Sequence, residues 1–179
     1  MSMDRRNKRW IPLWVAVLAF CGLASSALAD GEHTKGLFLY NLAKYVTWPA
    51  DSFSSDTSPI VIGIVGDAEF AASFDALVEG HKAQGRHIRV MELEPGQSAH
   101  GVHLVYFPNG ELSQLRAQAK HFDDQPAIRV AESKRFARHG DIGFVMRNGR
   151  IMFYINGESS HRAGMKVSSK LMRLASGVE

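Results

Sequence analysis

Serine residues stand beside basic residues twice near the end of the 179-residue chain, as in a nucleophile with its activating base. Residues 159–162 read SSHR, and residues 168–170 read SSK. Neither group is framed as G-x-S-x-G, the motif of a strained strand-to-helix turn, and neither has S-x-x-K spacing. We therefore interpret Ser159 and Ser160 as the start of a helical turn and Ser168 as a helix N-cap. The sequence predicts no catalytic residue.

Histidines are the second group that could do chemistry, because imidazole is a common metal ligand. The closest pairs are His81 with His87 and His100 with His103. A structural metal site needs about four converging ligands. No cysteine accompanies these pairs, and the chain contains no HExxH motif. We therefore predict surface or hydrogen-bonded core histidines, with no bound metal and no other cofactor.

The stretch GIVGD, residues 63–67, lies where a strand is predicted to lead into a helix, a common place for phosphate-binding loops. It lacks a third glycine and the Lys-Ser/Thr of a P-loop, so the sequence favours a tight turn in which Asp67 caps the helix. In an open parallel sheet, ligands bind at the carboxyl ends of strands where the strand order reverses. If the first and third strands are neighbours, Asp67 and Asn109 would border such a ligand crevice.

The first 29 residues have the pattern of a secretory signal peptide. Four basic residues precede an apolar run over residues 11–23, and Ala27-Leu28-Ala29 forms an A-x-A cleavage site. The apolar run is shorter than the ~20 residues that a membrane-spanning helix needs. We predict that residues 1–29 are removed and that residues 30–179 form one periplasmic domain.

Charge argues against a nucleic-acid partner once the signal peptide is set aside. The whole chain has 21 Lys and Arg against 18 Asp and Glu. The first 29 residues hold four of these basic residues and one of the acidic ones, which leaves 17 of each in residues 30–179. A formally neutral domain lacks the basic footprint of a nucleic-acid-binding protein. The only cysteine, Cys21, also lies in the signal peptide, so we predict a domain without disulfides.

The hydrophobic pattern after residue 35 predicts an α/β fold. A helix over residues 35–48 precedes strands and helices that alternate along the chain, and the apolar runs 60–66 and 102–107 are typical of strands buried on both faces. Such alternation implies a largely parallel sheet with helices on both faces. Asn148-Gly149, between two β runs, predicts a type I′ hairpin that adds antiparallel pairing in the C-terminal half.

The last segment of the chain is predicted to be a short amphipathic helix. Leu171, Met172, Leu174 and Ala175 supply apolar side chains, and Lys166, Lys170 and Arg173 supply basic ones that we expect to face water. The first interpretation is a helix that packs on the sheet. The second is a contact surface for a partner protein, formed by Lys166, Lys170, Met172 and Arg173, since methionine makes adaptable interfaces.

Several of these stretches together resemble the YfiR-like family of bacterial periplasmic proteins. The similar stretches are FLYNLAKYVTWP, IGIVGDAEF, VHLVYF and the long segment from FARHGDIGF to AGMKVSSKLMRLA, in this order over nearly all of residues 30–179. Family members often carry cysteines, one of them before the strand histidine. Here Val102 precedes His103, so the redox control attached to the family is not expected in this chain.

The resemblance implies a non-enzymatic repressor of a membrane-bound GGDEF diguanylate cyclase, acting on the periplasmic sensor domain of that enzyme. Loss of such a protein would raise cyclic di-GMP and favour biofilm. In the family's best-known system, an outer-membrane lipoprotein with a peptidoglycan-binding domain sequesters the repressor. Two other functions remain open on the sequence: a periplasmic small-molecule sensor, and a hydrolase that uses Ser159 or Ser168. The sequence also leaves open whether the protein forms a homodimer.

Overall fold

The computed structural model describes residues 30–98, 100–108 and 110–178, with the side chains of residues 159–161 left out. The predicted signal peptide therefore lies outside the described residues. Within them, no helix is both long and apolar enough to cross a membrane. The fold follows from two hydrophobic clusters that lie on opposite faces of one sheet.

Eight strands form this sheet within the described residues. In sheet order they are β10 Gly177–Val178, β8 Arg150–Ile155, β7 Ile142–Arg147, β6 Ile128–Ala131, β5 Leu104–Phe107, β2 Ile60–Val65, β4 Arg86–Leu93 and β3 Lys82–Ala83. Five adjacent strands, β4, β2, β5, β6 and β7, run parallel in a doubly wound order. At the two ends of this parallel group, β3 pairs antiparallel with β4, and β8 pairs antiparallel with β7. The α/β class with a largely parallel, mixed sheet is therefore confirmed.

Helices cover both faces of the sheet, as the alternation of elements predicts. The helical elements are α1 over residues 30–45, α2 Ala68–Val78, α3 Leu112–Ala119, α4 Ser169–Leu174 and the 3-10 turns Ala50–Ser52, Lys120–Phe122, Lys134–Arg138 and Ser159–Gly164. Helices α1, α2 and α4 contribute to one hydrophobic cluster, and α3 with the 3-10 turn Lys134–Arg138 contributes to the other. Strand β5 shows why two layers form. Its residues 104 and 106 belong to the first cluster, and residues 105 and 107 to the second.

Local sequence signals fix two of the turns in this fold. Asn148 and Gly149 have φ values of 50° and 72°, and Arg147 pairs with Arg150 across them, so the predicted two-residue hairpin is confirmed. The Asp67 carboxylate accepts a hydrogen bond from the Phe70 N–H at 3.0 Å, which confirms the predicted cap of α2.

The first predicted helix ends earlier than residue 48. Helix α1 stops at residue 45, and the next two residues form β1 Val46–Thr47, which pairs with β9 Lys166–Val167 in a small separate ladder. The cause is long-range, because the partner strand comes from the far end of the chain. This ladder, together with β3 and β10, is absent from the sequence-based prediction, since two-residue strands carry no periodic signal.

Candidate functional site

The C-terminal segment is held against the start of the domain by the β1–β9 ladder. Val46 pairs with Val167, and the Ser168 N–H donates to the Tyr45 carbonyl at 2.9 Å. The Ser168 hydroxyl then accepts a hydrogen bond from the Leu171 N–H at 3.2 Å and caps α4. The predicted N-cap is therefore confirmed.

Three of the four residues predicted to contact a partner are exposed on and just before α4. Lys166, Lys170 and Arg173 are exposed, whereas Met172 is half-buried against the core cluster. The Lys170 ammonium lies 5.4 Å from the centre of the Tyr45 ring, which anchors part of its side chain. Met172 therefore contributes more to the core than to the surface.

Leu174 is exposed, whereas the sequence predicted it on the buried face of this helix. Its side chain is 61 % exposed, whereas Leu171 is 4 % exposed. The helix ends at Leu174, and the chain then turns so that the Ser176 N–H reaches the Phe153 carbonyl at 2.7 Å. No further helical turn covers Leu174, so it adds an apolar side chain to the exposed basic residues. We call Lys166, Lys170, Arg173 and Leu174 the α4 surface.

A buried ion network anchors the turn that precedes this segment, and sequence reasoning missed it. Arg129, on β6, donates to Asp141 through its backbone N–H, Nε and Nη2 at 2.7, 3.0 and 3.1 Å, and it also pairs with Asp123. Arg162 reaches the same Asp141 carboxylate at 3.3 Å. Its guanidinium also donates to four backbone carbonyls, those of residues 122, 123, 125 and 127. The sequence held one signal for this network: Arg129 interrupts the otherwise apolar strand AIRV, where a buried arginine needs an acidic partner.

Burial and ion pairing act in opposite directions on the pKa of Arg129. Burial alone would lower this pKa, but the hydrogen bonds and charge of Asp141, with the charge of Asp123, outweigh burial and raise it. The side chains of Arg129 and Asp141 are only 6 % and 2 % exposed. The network is therefore a buried, charged clamp between β6, the start of β7 and the turn Ser159–Gly164.

The two residues of the predicted ligand crevice have different outcomes. Strands β2 and β5 are neighbours, so the condition set by the sequence is met, and Asp67 follows the carboxyl end of β2. Its carboxylate serves as the helix cap described above. Asn109 lies outside the described residues. A ligand role for this pair stays a prediction.

His103 is a hydrogen-bonded core histidine, as the sequence predicted. Its ring is buried, its Nδ1 accepts from the Val61 N–H at 3.0 Å, and its Nε2 lies 3.2 Å from the Ser52 carbonyl. The ring of Phe53 stacks on it at 4.4 Å. Burial lowers the pKa of His103, and the charge of Arg86 acts in the same direction. The neutral imidazole, with a proton on Nε2, fits both bonds.

A cavity of about 620 Å³ opens beside His103, at the amino ends of β5 and β6. We call it the amino-end cavity. Its described lining comes from three segments: Asp51, Ser52 and Ser54; Ser98 and residues 100–103; and His121 with residues 124–126. It lies at the opposite edge of the sheet from Asp67, and sequence reasoning did not identify it because its residues are scattered along the chain between Asp51 and Pro126. His100, His103 and His121 all line it, yet no group of three or more metal-ligating side chains within the described chain could hold a metal ion.

Comparison with known proteins identifies the family. A family model described as YfiR/HmsC-like matches residues 32–176, which is most of the chain and includes the α4 surface and the amino-end cavity. A search of curated proteins found no match. The match runs in one piece from α1 to the end of α4. The chain therefore belongs to the YfiR/HmsC-like family, which is known for periplasmic regulators of diguanylate cyclases.

Proposed function

We propose that this protein is a periplasmic, non-enzymatic repressor of an inner-membrane GGDEF diguanylate cyclase. It would bind the periplasmic sensor domain of that enzyme, lower cyclic di-GMP and reduce biofilm formation. The family match over residues 32–176 carries this proposal. The predicted signal peptide supports the periplasmic location. A non-enzymatic role is also consistent with Ser168, whose hydroxyl is engaged in a helix cap.

The α4 surface is our candidate for the contact with the cyclase. It combines three exposed basic side chains with an exposed leucine, a composition that suits a partner with an acidic rim around an apolar patch. The backbone below it is well anchored, because the β1–β9 ladder and the Ser168 cap fix the start of α4. A rigid backbone limits the conformational entropy lost when a partner binds.

Repression requires a difference in affinity between two conformations of the cyclase. A ligand shifts an equilibrium only by as much as it prefers one state. To move a cyclase from mostly active to mostly inactive, that is from 99:1 to 1:99, the repressor must bind the inactive sensor domain about 10⁴-fold more tightly. Tight binding alone would therefore not repress, and activity must be measured alongside binding.

A genetic experiment tests the proposal. Deleting the gene in the producing bacterium, under conditions in which the cyclase is expressed, should raise cyclic di-GMP and surface attachment. The wild-type gene should restore both to the original level. Unchanged cyclic di-GMP in the deletion strain would refute repression.

The α4 surface is tested by complementing the same strain with the triple variant K166E/K170E/R173E. We expect a folded protein that no longer represses, since three charge reversals oppose an acidic partner. Asp75→Lys, a charge reversal on the exposed side of α2, is the matched control and should still repress. A folded triple variant with full repression would remove the α4 surface from the contact.

Release of the cyclase by an outer-membrane, peptidoglycan-binding lipoprotein belongs to the same proposal. If the lipoprotein sequesters the repressor, it should compete with the periplasmic domain of the cyclase for one surface. Preincubation of the repressor with the lipoprotein should then reduce binding to the cyclase domain. Simultaneous binding of both partners would argue against sequestration by direct competition.

A further inference from the structure

His103 is a buried titratable residue whose ring joins two separate segments of the chain. The residue is 4 % exposed, its Nδ1 lies 3.0 Å from the Val61 amide nitrogen, and its Nε2 lies 3.2 Å from the Ser52 carbonyl oxygen. A backbone N–H can only donate and a carbonyl can only accept, so Nδ1 must carry a lone pair and Nε2 the proton. The two contacts are therefore both satisfied only by the neutral ring.

Protonation of this ring would disrupt the contact with Val61. A proton on Nδ1 would place two N–H donors face to face across 3.0 Å and would leave the Val61 N–H without its acceptor. Burial lowers the pKa of His103 and outweighs the Ser52 bond, which raises it, while the charge of Arg86 lowers it further. The cation is thus disfavoured in this slot for reasons of contact, burial and charge.

The charged groups around the ring differ in how strongly they act on it. Arg86, on β4, lies 3.8 Å from the centre of the Phe53 ring, which in turn stacks on the His103 ring. Four other titratable residues line the cavity beside the ring, and all four are exposed: Asp51, His100, His121 and Asp124. Water screens exposed charges well, so the buried contacts and Arg86 dominate the response of His103.

The backbone of His103 is fixed, whereas its side chain has room to move. Its N–H donates to the Val61 carbonyl, and its own carbonyl accepts from the Ile128 N–H and from the Trp48 indole Nε1, each at 2.9 Å. The residue also borders the amino-end cavity of about 620 Å³. A charged ring can therefore reach water by rotating about its side-chain bonds into this cavity, without any change in strand pairing.

The 3-10 turn Ala50–Ser52 and Phe53 depend on the position of this ring. The Ser52 carbonyl accepts from Nε2, and the Phe53 ring stacks on the imidazole with ring centres 4.4 Å apart and planes 16° apart. The next residues of the loop have other contacts, because the Arg86 guanidinium holds the carbonyls of Ser55 and Ser58. Movement of the imidazole would therefore release the turn and Phe53 first.

From this geometry we propose that His103 is an acid-sensitive latch, whose protonation moves the ring into the amino-end cavity and frees the turn Ala50–Ser52 and Phe53 from the sheet. Histidine suits such a role because its charge changes in the range in which natural environments acidify. The backbone bonds of residue 103 do not involve the ring, so the sheet itself stays paired. This device is independent of the proposed repressor function.

Trp48 provides the test, because it is the only tryptophan of residues 30–179. Its indole lies edge-on to the His103 ring, with ring centres 5.7 Å apart. The exported protein is titrated from pH 7.5 to 4.5, with tryptophan fluorescence reporting on the latch and circular dichroism on secondary structure. We expect a reversible change in fluorescence with a midpoint below about 6.5, the ordinary histidine pKa, while circular dichroism stays constant. Constant fluorescence until secondary structure is lost would overturn the proposal.

Variants assign the transition to one histidine. In His103→Asn the amide oxygen can still accept from the Val61 N–H but takes up no proton in this range, so the fluorescence transition should disappear. The matched control H100N/H121N removes the two exposed histidines of the cavity and should keep the transition. A transition retained in folded His103→Asn, or lost in H100N/H121N, would refute the latch.

Nuclear magnetic resonance of the wild-type protein gives the same answer if His103→Asn does not fold. The ring nitrogens of His103 should titrate with the midpoint seen for Trp48, and the backbone amide signals of residues 50–53 should shift with them, while those of α2 should not. Different midpoints for His103 and Trp48 would refute the latch. All of these measurements use the protein alone, so their outcome stands whether or not it represses a cyclase.

Discussion

Replacing Asp141 with alanine should strongly destabilise the fold, because it leaves a buried arginine charge without its main partner. Arg129 would lose three hydrogen bonds to the Asp141 carboxylate, including the one from its own backbone N–H, and its guanidinium would keep only the contact with Asp123. Arg162 would lose its single carboxylate partner in the described chain but keep its bonds to backbone carbonyls.

The expected magnitude follows from this burial. Breaking a buried ion pair by removing one partner typically costs about 3–5 kcal/mol, and the side chains here are 6 % and 2 % exposed. Domains of this size unfold with a total free energy of about 5–15 kcal/mol, so the variant would lose a large share of its stability. At about 2–4 °C per kcal/mol, its Tm should fall by about 6–20 °C.

Urea unfolding followed by circular dichroism measures this change, with the midpoint expected to shift and the slope m to stay constant. Asp75→Ala, an exposed carboxylate on α2, is the control and should stay within about 0.5 kcal/mol of wild type. A double-mutant cycle isolates the pair: Arg129→Met should cost less in the Asp141→Asn background than in wild type.

The reasoning would be refuted by either of two results. One is an Asp141→Ala variant that unfolds within about 1 kcal/mol of wild type, where a buried pair predicts about 3–5 kcal/mol. The other is an equal cost of Arg129→Met in both backgrounds, which would mean that the two side chains are not coupled.

Three further predictions concern other parts of the fold. Burial lowers the pKa of His103 below 6.5 in the folded state, so the unfolded chain binds the proton more readily. The free energy of unfolding should therefore fall by up to about 1.4 kcal/mol per pH unit as the pH drops from 6.5 towards the lowered pKa. In urea titrations at pH 7.5 and 5.5, His103→Asn should show a smaller decrease than wild type, and equal decreases would contradict this. Gly143→Ala should destabilise the fold by more than the about 1–3 kcal/mol that is typical of overpacking, because the added Cβ would lie 2.2 Å from the Ser133 carbonyl oxygen. Gly31→Ala is the control, since a Cβ there meets open space, and it should leave Tm unchanged in a thermal melt. Leu171→Ala removes a buried side chain and should lower the free energy of unfolding by about 2–5 kcal/mol in the same melt. Leu174→Ala should leave Tm unchanged and weaken binding to the cyclase domain, and a fall in its Tm would show that Leu174 is not a surface residue.

Local signals in the sequence were sufficient for most of the secondary structure. The buried strand over residues 60–66, the Asp67 cap and the Asn148-Gly149 hairpin were each predicted, and each is confirmed, the strand as β2 Ile60–Val65. Such features depend on neighbours within a few residues, so their physical causes are present in the local sequence. The order and type of these elements also led to the correct fold class.

The surface of α4 shows where local reasoning stops. Helical spacing assigned Leu171 and Leu174 to one apolar face, and it is correct for Leu171. Whether Leu174 is covered depends on where the chain goes after the helix, and that direction is set by the pairing of β10 with β8. No pattern within the helix encodes this contact.

By itself, the sequence determined the α/β class, the position of most strands and helices, the caps and the hairpin turn, because each is encoded by periodicity or by turn residues close in sequence. Only the tertiary structure decided the Arg129–Asp141–Arg162 network and the amino-end cavity. Their residues come from separate loops and strands that the sheet order brings together. Burial and charge at such sites arise from contacts between segments far apart in the chain, and a local sequence pattern does not encode those contacts.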